Sequence, residues 1–243
     1  MRKTESKLAL VAMLAAATAG DAWALGWSGM TLDNSPCEGG GQAFGPFDYF
    51  DVNDPDDQFY DEGRLWEADD RHFNQGVFFM RQEPLGLADY QRAAGEFDYM
   101  LRAYPNHPGA LASLIELEVK RQRVNRNRAV PLRAGYPPPE CYFLRAISYR
   151  PQQFHIRLIF GTYLHRAGHY DAALEQYSVA MDIRPDSAEV YYNAGLAHFE
   201  LGQYEQARTL AQQAYSAGYP LPGLRNKLRR ANQWQAQATT EPR

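Results

Sequence analysis

Residues 161–180, GTYLHRAGHYDAALEQYSVA, are echoed by residues 195–214, GLAHFELGQYEQARTLAQQA. Gly161, Gly168, Tyr170, Ala173 and Ala180 recur as Gly195, Gly202, Tyr204, Ala207 and Ala214, and every pair is 34 residues apart. A fixed period of this size marks a solenoid, in which each unit buries its apolar face only by stacking on the next. Each copy reads as two helices, near 154–166 and 171–184 in the first and near 188–201 and 204–217 in the second. Gly168 and Gly202 fall between the helices, where a left-handed residue ends the first of each pair. Pro185 and Pro220 stop the second helices. Asp186 and Glu189 have the spacing of a capping box at the start of the next unit.

The pattern continues upstream. Ala93, Phe97, Met100 and Pro105 match the spacing of Ala173, Tyr177, Ala180 and Pro185, and Phe143, Ala146 and Pro151 match the last three again. Pro105 and Pro151 lie 46 residues apart, one period plus an insertion of 12 that falls within 121–139. The chain therefore reads as an all-α solenoid over 74–221, with units at about 74–107, 108–153, 154–187 and 188–221. A capping helix and tail follow over 222–243. Leu221, Leu224, Leu228, Ala231 and Trp234 are expected on its inner side, with Arg225, Lys227, Arg229 and Arg230 mostly on the outer.

The region before the repeats has another character. Arg2, Lys3 and Lys7, the apolar run 8–19 and the small-x-small Ala22-Trp23-Ala24 read as a signal peptide over 1–24, with a mature start at Leu25. Twelve apolar residues are too few to span a bilayer, which takes about twenty. The expected location is outside the cytoplasm, periplasmic or secreted, with no transmembrane segment after cleavage. Residues 25–73 form an acidic, aromatic arm: Asp48, Asp51, Asp54, Asp56, Asp57, Asp61 and Glu62 alternate with Phe44, Phe47, Tyr49, Phe50, Phe59 and Tyr60. It has no sustained period, yet too many large apolar side chains for a free linker, so it is expected to be irregular and packed on the repeats. In an oxidising compartment Cys37 and Cys141 can pair and staple the arm to the repeats; two free thiols or an intermolecular bond are the alternatives.

The residues at the five recurring positions, with Pro185, resemble the tetratricopeptide repeat. The likeness covers 74–221 and weakens in the second unit, where the insertion interrupts it. A second likeness is carried by the segment from His72-Phe73 to Glu96-Phe97-Asp98-Tyr99 and by Arg102-Ala103-Tyr104-Pro105-Asn106-His107; it resembles exported proteobacterial members of the same family, which carry an arm similar to Gly45-Pro46-Phe47-Asp48-Tyr49. The family implies a non-catalytic protein–protein interaction module or scaffold, here in the cell envelope. It also implies a peptide or protein partner held in a concave groove lined by the first helix of each pair. On this chain the matching positions include His155, Leu158, Thr162, Arg166, Tyr192, Asn193 and Phe199. Some members clamp a terminal carboxylate, but Arg166, Asn193 and Lys120 do not make up the Lys-rich set that task uses.

The insertion carries Lys120, Arg121, Arg123, Arg126, Arg128 and Arg133 without an intervening acid. It reads either as a counter-charge to the chain's own acidic arm, the favoured reading, or as a dock for an anionic partner. The second underlies an alternative function, an accessory subunit of an envelope machine for secretion, pilus or cell-wall assembly. A net charge of −4 points to no nucleic-acid partner. Asp51, Asn53, Asp57 and Glu62 have a calcium-loop spacing that Pro55 and Asp56 spoil. His165 and His169 straddle Gly168 without a metalloprotease frame. No cofactor, metal or catalytic group is expected, and the chain is read as not an enzyme.

Overall fold

The computed structural model describes residues 25–41, 45–50, 68–125 and 135–234. Among the described residues there are nine α-helices and no strand. They are α1 (Asn74–Met80, entered through a π-helical turn, Asp69–Phe73), α2 (Leu87–Ala103), α3 (Pro108–Asn125), α4 (Pro139–Tyr149), α5 (Phe154–Arg166), α6 (Tyr170–Ile183), α7 (Ala188–Glu200), α8 (Tyr204–Ser216) and α9 (Gly223–Arg230). Successive helices pair as α1/α2, α3/α4, α5/α6 and α7/α8, each hairpin packs on the next, and α9 closes the end against α7 and α8.

The hairpins form where the recurring residues require them. Gly168 and Gly202 have φ of +85° and +73°, a conformation costly for a side chain with Cβ, and each turns the chain from the first helix into the second. The small residue in the first helix admits a ring from the second. A Cβ on Gly161 would lie 2.4 Å from Tyr177 Cε1, and one on Gly76 would lie 2.5 Å from Phe97 Cε1. Gly76 thus does in hairpin one what Gly161 does in hairpin three, offset by the longer turn 81–86 between α1 and α2. Ala93, Ala173, Ala180, Ala207 and Ala214 are fully buried where helices cross closely. Ser187, rather than Asp186, caps α7: its hydroxyl accepts from Val190 N at 3.4 Å.

Tyr170 meets His165 edge-on at 5.2 Å and Tyr204 meets Phe199 at 5.3 Å, so both tyrosines close the top of their own hairpin. At the C-terminal end Leu224 and Leu228 are fully buried, whereas Leu221 lies ahead of α9 and is 55% exposed. Helix α3 continues to Asn125, five residues into the expected insertion, because no Gly or Pro interrupts it there.

Hairpin two departs from the others. Its helices meet over a shorter interface than those of hairpins three and four. Tyr136 ends the connection between them by laying its hydroxyl on Gly95 of α2. A cavity of about 30 Å³ remains between α2, α3 and this segment, lined by Tyr90, Leu114, Tyr136 and Tyr142 among others. The arm lies across α2 and α4. Cys37 and Cys141 form a disulfide with Cα atoms 5.5 Å apart. Trp27 meets Tyr142 edge-on at 5.1 Å and donates from Nε1 to Gly40 O at 3.0 Å. Phe47 is 5% exposed against Tyr104, with its backbone N donating to Ala103 O at 2.8 Å. The described part of the arm has no helix before Asp69; its one bridge pairs Met30 with Pro36.

Candidate functional site

The first helices α3, α5 and α7 pack side by side, and α9 continues the row. They bring the expected groove residues onto one run of surface, with unequal accessibility. Arg166 is exposed at the end of α5; His155, Thr162, Asn193 and Phe199 are half-buried. Leu158 and Tyr192 are 6% and 8% exposed and present little to a ligand. Tyr192 turns toward the cap, where its ring stacks on Tyr219 at 4.2 Å, and burial raises its phenol above the ordinary range. Phe199 lies under Lys227 Nζ, 5.2 Å from its ring centroid, and that ammonium also meets Glu200 Oε1 at 2.7 Å. Thr162 donates its hydroxyl to Leu158 O at 2.9 Å and also meets the buried Tyr177 phenol.

Two histidines bracket the surface, and burial holds both below the ordinary imidazole value. At His155 the nearby Arg184 adds to the effect, and Phe50 of the arm stacks on the ring at 5.5 Å. At His165 the opposing pull of Glu200 is outweighed by burial together with Lys227 and Arg166. Its Nδ1 is buried without a hydrogen-bond partner among the described residues. Both imidazoles are therefore neutral near pH 7.

The basic run divides. Lys120 donates from Nζ to Met80 O at 2.9 Å and to Glu83 Oε1 at 3.0 Å, tying α3 to the end of α1. Arg121 is 9% exposed and makes a two-pronged contact with Glu118, which raises its guanidinium's affinity for the proton. Arg123 is exposed. Arg126, Arg128 and Arg133 lie outside the described residues, as do Asp51, Asn53, Asp57 and Glu62. The favoured pairing of this run with the acidic arm is not what the described charges do. Asp48 accepts from Arg150 Nε and Asn106 Nδ2, each at 2.5 Å, and Asp69 accepts from His107 Nε2 at 2.8 Å. Here the arm crosses the α2–α3 and α4–α5 turns, so these local partners take the carboxylates of Asp48 and Asp69.

Periodicity alone missed the polar residues that seat the arm. Arg145 is 1% exposed and donates to Leu25 O, Leu101 O and Arg102 O, at 3.1, 2.6 and 3.3 Å. Burial pushes its guanidinium down to about 10. Glu140, 5% exposed, accepts from Leu32 N and from Tyr163 OH, at 3.3 and 2.7 Å. The 34-residue register held a signal for this. Cys141 stands where α6 has Glu175, and Leu144 where it has Ser178; an apolar pair in place of two exposed polar residues means that something covers it.

Residues 161–202 match a family model described as TPR repeat. Solved structures share the architecture at low identity. YrrB, described as a TPR protein with an unusual peptide-binding site, is 23% identical; the match covers 72% of this chain and 80% of that one, with a TM-score of 0.43. PilF of Pseudomonas aeruginosa is 14% identical over 68% and 70% of the two chains, with a TM-score of 0.48. MamA of Desulfovibrio magneticus RS-1 is 18% identical over 69% and 87%, with a TM-score of 0.47. No curated protein matches the chain. Among the described residues no helix is long and apolar enough to cross a membrane. Residues 161–202 are thus matched as tetratricopeptide repeats across the hairpin three–four junction, and the same helical-hairpin solenoid geometry is repeated on either side of them.

Proposed function

We propose that this protein is an exported, non-catalytic scaffold of the cell envelope that holds a protein or peptide partner along the surface shared by α3, α5, α7 and α9. Tetratricopeptide-repeat proteins are in general interaction modules without catalysis, and they bind protein or peptide partners. The observation that carries the reading is the row itself. Arg166 is exposed and Thr162, Asn193 and Leu196 are partly exposed on adjacent packed helices, so a bound chain would meet a surface whose ordering cost folding has already met. Export is supported by the signal-like start and by a disulfide between the two cysteines of the chain. Docking through the basic run finds less support, because Lys120 and Arg121 are already engaged by Glu83 and Glu118.

A photo-crosslinking residue at Asn193 tests the reading, with one at the exposed Ser178 of α6 as control. One defined envelope protein is expected to crosslink from Asn193 and not from Ser178, and Arg166→Ala should weaken its capture. Capture of that protein from Ser178 alone, or capture lost on Arg123→Ala and retained on Arg166→Ala, would refute the groove.

A further inference from the structure

We propose that the arm and helix α4 form one latch that closes only when Cys37 and Cys141 are oxidised, so that hairpin two is completed in an oxidising compartment and stays open before the chain reaches one. The latch face of α4 is Glu140, Cys141, Leu144 and Arg145. Its register mates on α6 are Leu174, Glu175, Ser178 and Val179, of which the middle two are exposed and the outer two half-buried. On α4, Glu140, Cys141 and Arg145 are at most 5% exposed. What covers them is the arm. Leu32 N donates to Glu140, Leu25 O accepts from Arg145, the Trp27 ring lies 5.3 Å from that guanidinium, and Leu144 packs on Gly29. One short arm segment therefore adds a hydrogen bond to a carboxylate that Tyr163 also serves and to a guanidinium that α2 also serves, and covers a leucine on the same helix.

Neither partner is self-sufficient. Helix α4 has 11 residues and a reduced interface with α3, and an isolated helix of that length does not hold in water. The arm between 25 and 41 has no ladder or helix of its own, so its ordering entropy has to be met by contacts with α2 and α4. The covalent bond tips this balance by removing the freedom of a segment spanning 104 residues of sequence. On closure the two thiols lose two protons and two electrons to a small-molecule or enzyme disulfide, which leaves as two thiols while the Sγ–Sγ bond forms. Once closed, the bond is shielded: Cys37 and Cys141 are 5% and 0% exposed, and thiol exchange needs a thiolate to reach a sulfur. The device therefore acts at folding and does not sense later changes in thiol level. Hairpins three and four with α9 have their own buried layers, built on Tyr177, Ala180, Ala194, Ala211 and Leu224, and stand without it.

Hydrogen exchange on the whole chain tests this, comparing oxidised protein with protein refolded in dithiothreitol and with Cys37→Ser. In the thiol forms, residues 29–37 and 139–149 are expected to exchange at least about tenfold faster, while 188–230 changes less than about twofold. Oxidised glutathione should restore the protection of the dithiothreitol-treated sample. Unchanged protection of 139–149 would show that the arm seats without the bond, and an equal rise along the whole chain would show a general stabiliser; either overturns the latch, as does failure of glutathione to restore it. Trp27→Ala in the oxidised protein separates bond from packing. Protection of 139–149 should stay within about threefold of the parent, and a loss as large as that on reduction would assign the latch to the ring.

Discussion

Arg145 and Gly161 show how far a single position depends on what surrounds it. Arg145 sits inside the molecule with its donors spent on three carbonyls of the arm and α2, and its charge is tolerated because those dipoles replace water. Arg145→Met removes the donors and leaves the carbonyls buried, so a loss of about 2–4 kcal/mol is expected in denaturant titration, whereas Arg166→Met on the open surface should change stability by no more than about 0.5 kcal/mol. Equal effects would mean that the buried guanidinium is not holding the arm. Gly161 faces a Tyr177 ring that is itself 1% exposed and has no room to retreat. Gly161→Ala should cost about 1–3 kcal/mol by overpacking. Gly41, with nothing within 4 Å of a Cβ, is the matched control and should accept alanine with little change.

At the scale of an element, α9 has eight residues and would not persist alone, yet it closes the solenoid. It does so with two leucines, Leu224 and Leu228, which seal Tyr192, Ala207, Ala211 and Ala214, while Arg229 and Arg230 stay in water. Leu224→Ala is expected to cost about 2–4 kcal/mol and to raise the exchange of α8 amides before those of α2. A uniform rise along the chain would contradict a local cap. The cap was legible in the sequence because its leucines keep a helical spacing. Its reach over Tyr192 was not: at position 192 a ring facing a ligand and a ring facing the cap leave the same pattern, and only Tyr219, stacked at 4.2 Å, decides. Leu158 was obscured for a similar reason, since a first helix uses one broad stripe both for its neighbours and for the groove.

At the scale of the whole molecule, Asp48 joins three parts: the arm, the α2–α3 turn through Asn106 and the α4–α5 turn through Arg150. Burial pushes its carboxyl up, but the hydrogen bonds from Arg150 and Asn106 outweigh burial and hold it below the ordinary carboxylate value. A carboxylate depressed on folding contributes stability that is complete above its unfolded pKa, about 3.9, and is lost as pH falls through the folded value. Stability measured by denaturant between about pH 5 and pH 3 should fall more steeply in the parent than in Asp48→Asn. Identical slopes would show that the clasp carries no net proton linkage.

The sequence by itself determined the repeat. A period of 34 residues is a statement about local geometry: glycines that must turn, small residues that must let helices approach, and prolines that must end them, each readable without knowing what lies across the core. Only the tertiary structure decided where the irregular arm goes and which charges it meets. Asp48 finds Arg150 and Asn106, Glu140 finds Leu32 and Tyr163, and Arg145 finds Leu25, pairings separated by up to 120 residues. No period links such residues, because their proximity follows from how the stacked hairpins fold back on the chain that precedes them, not from the spacing within any one of them.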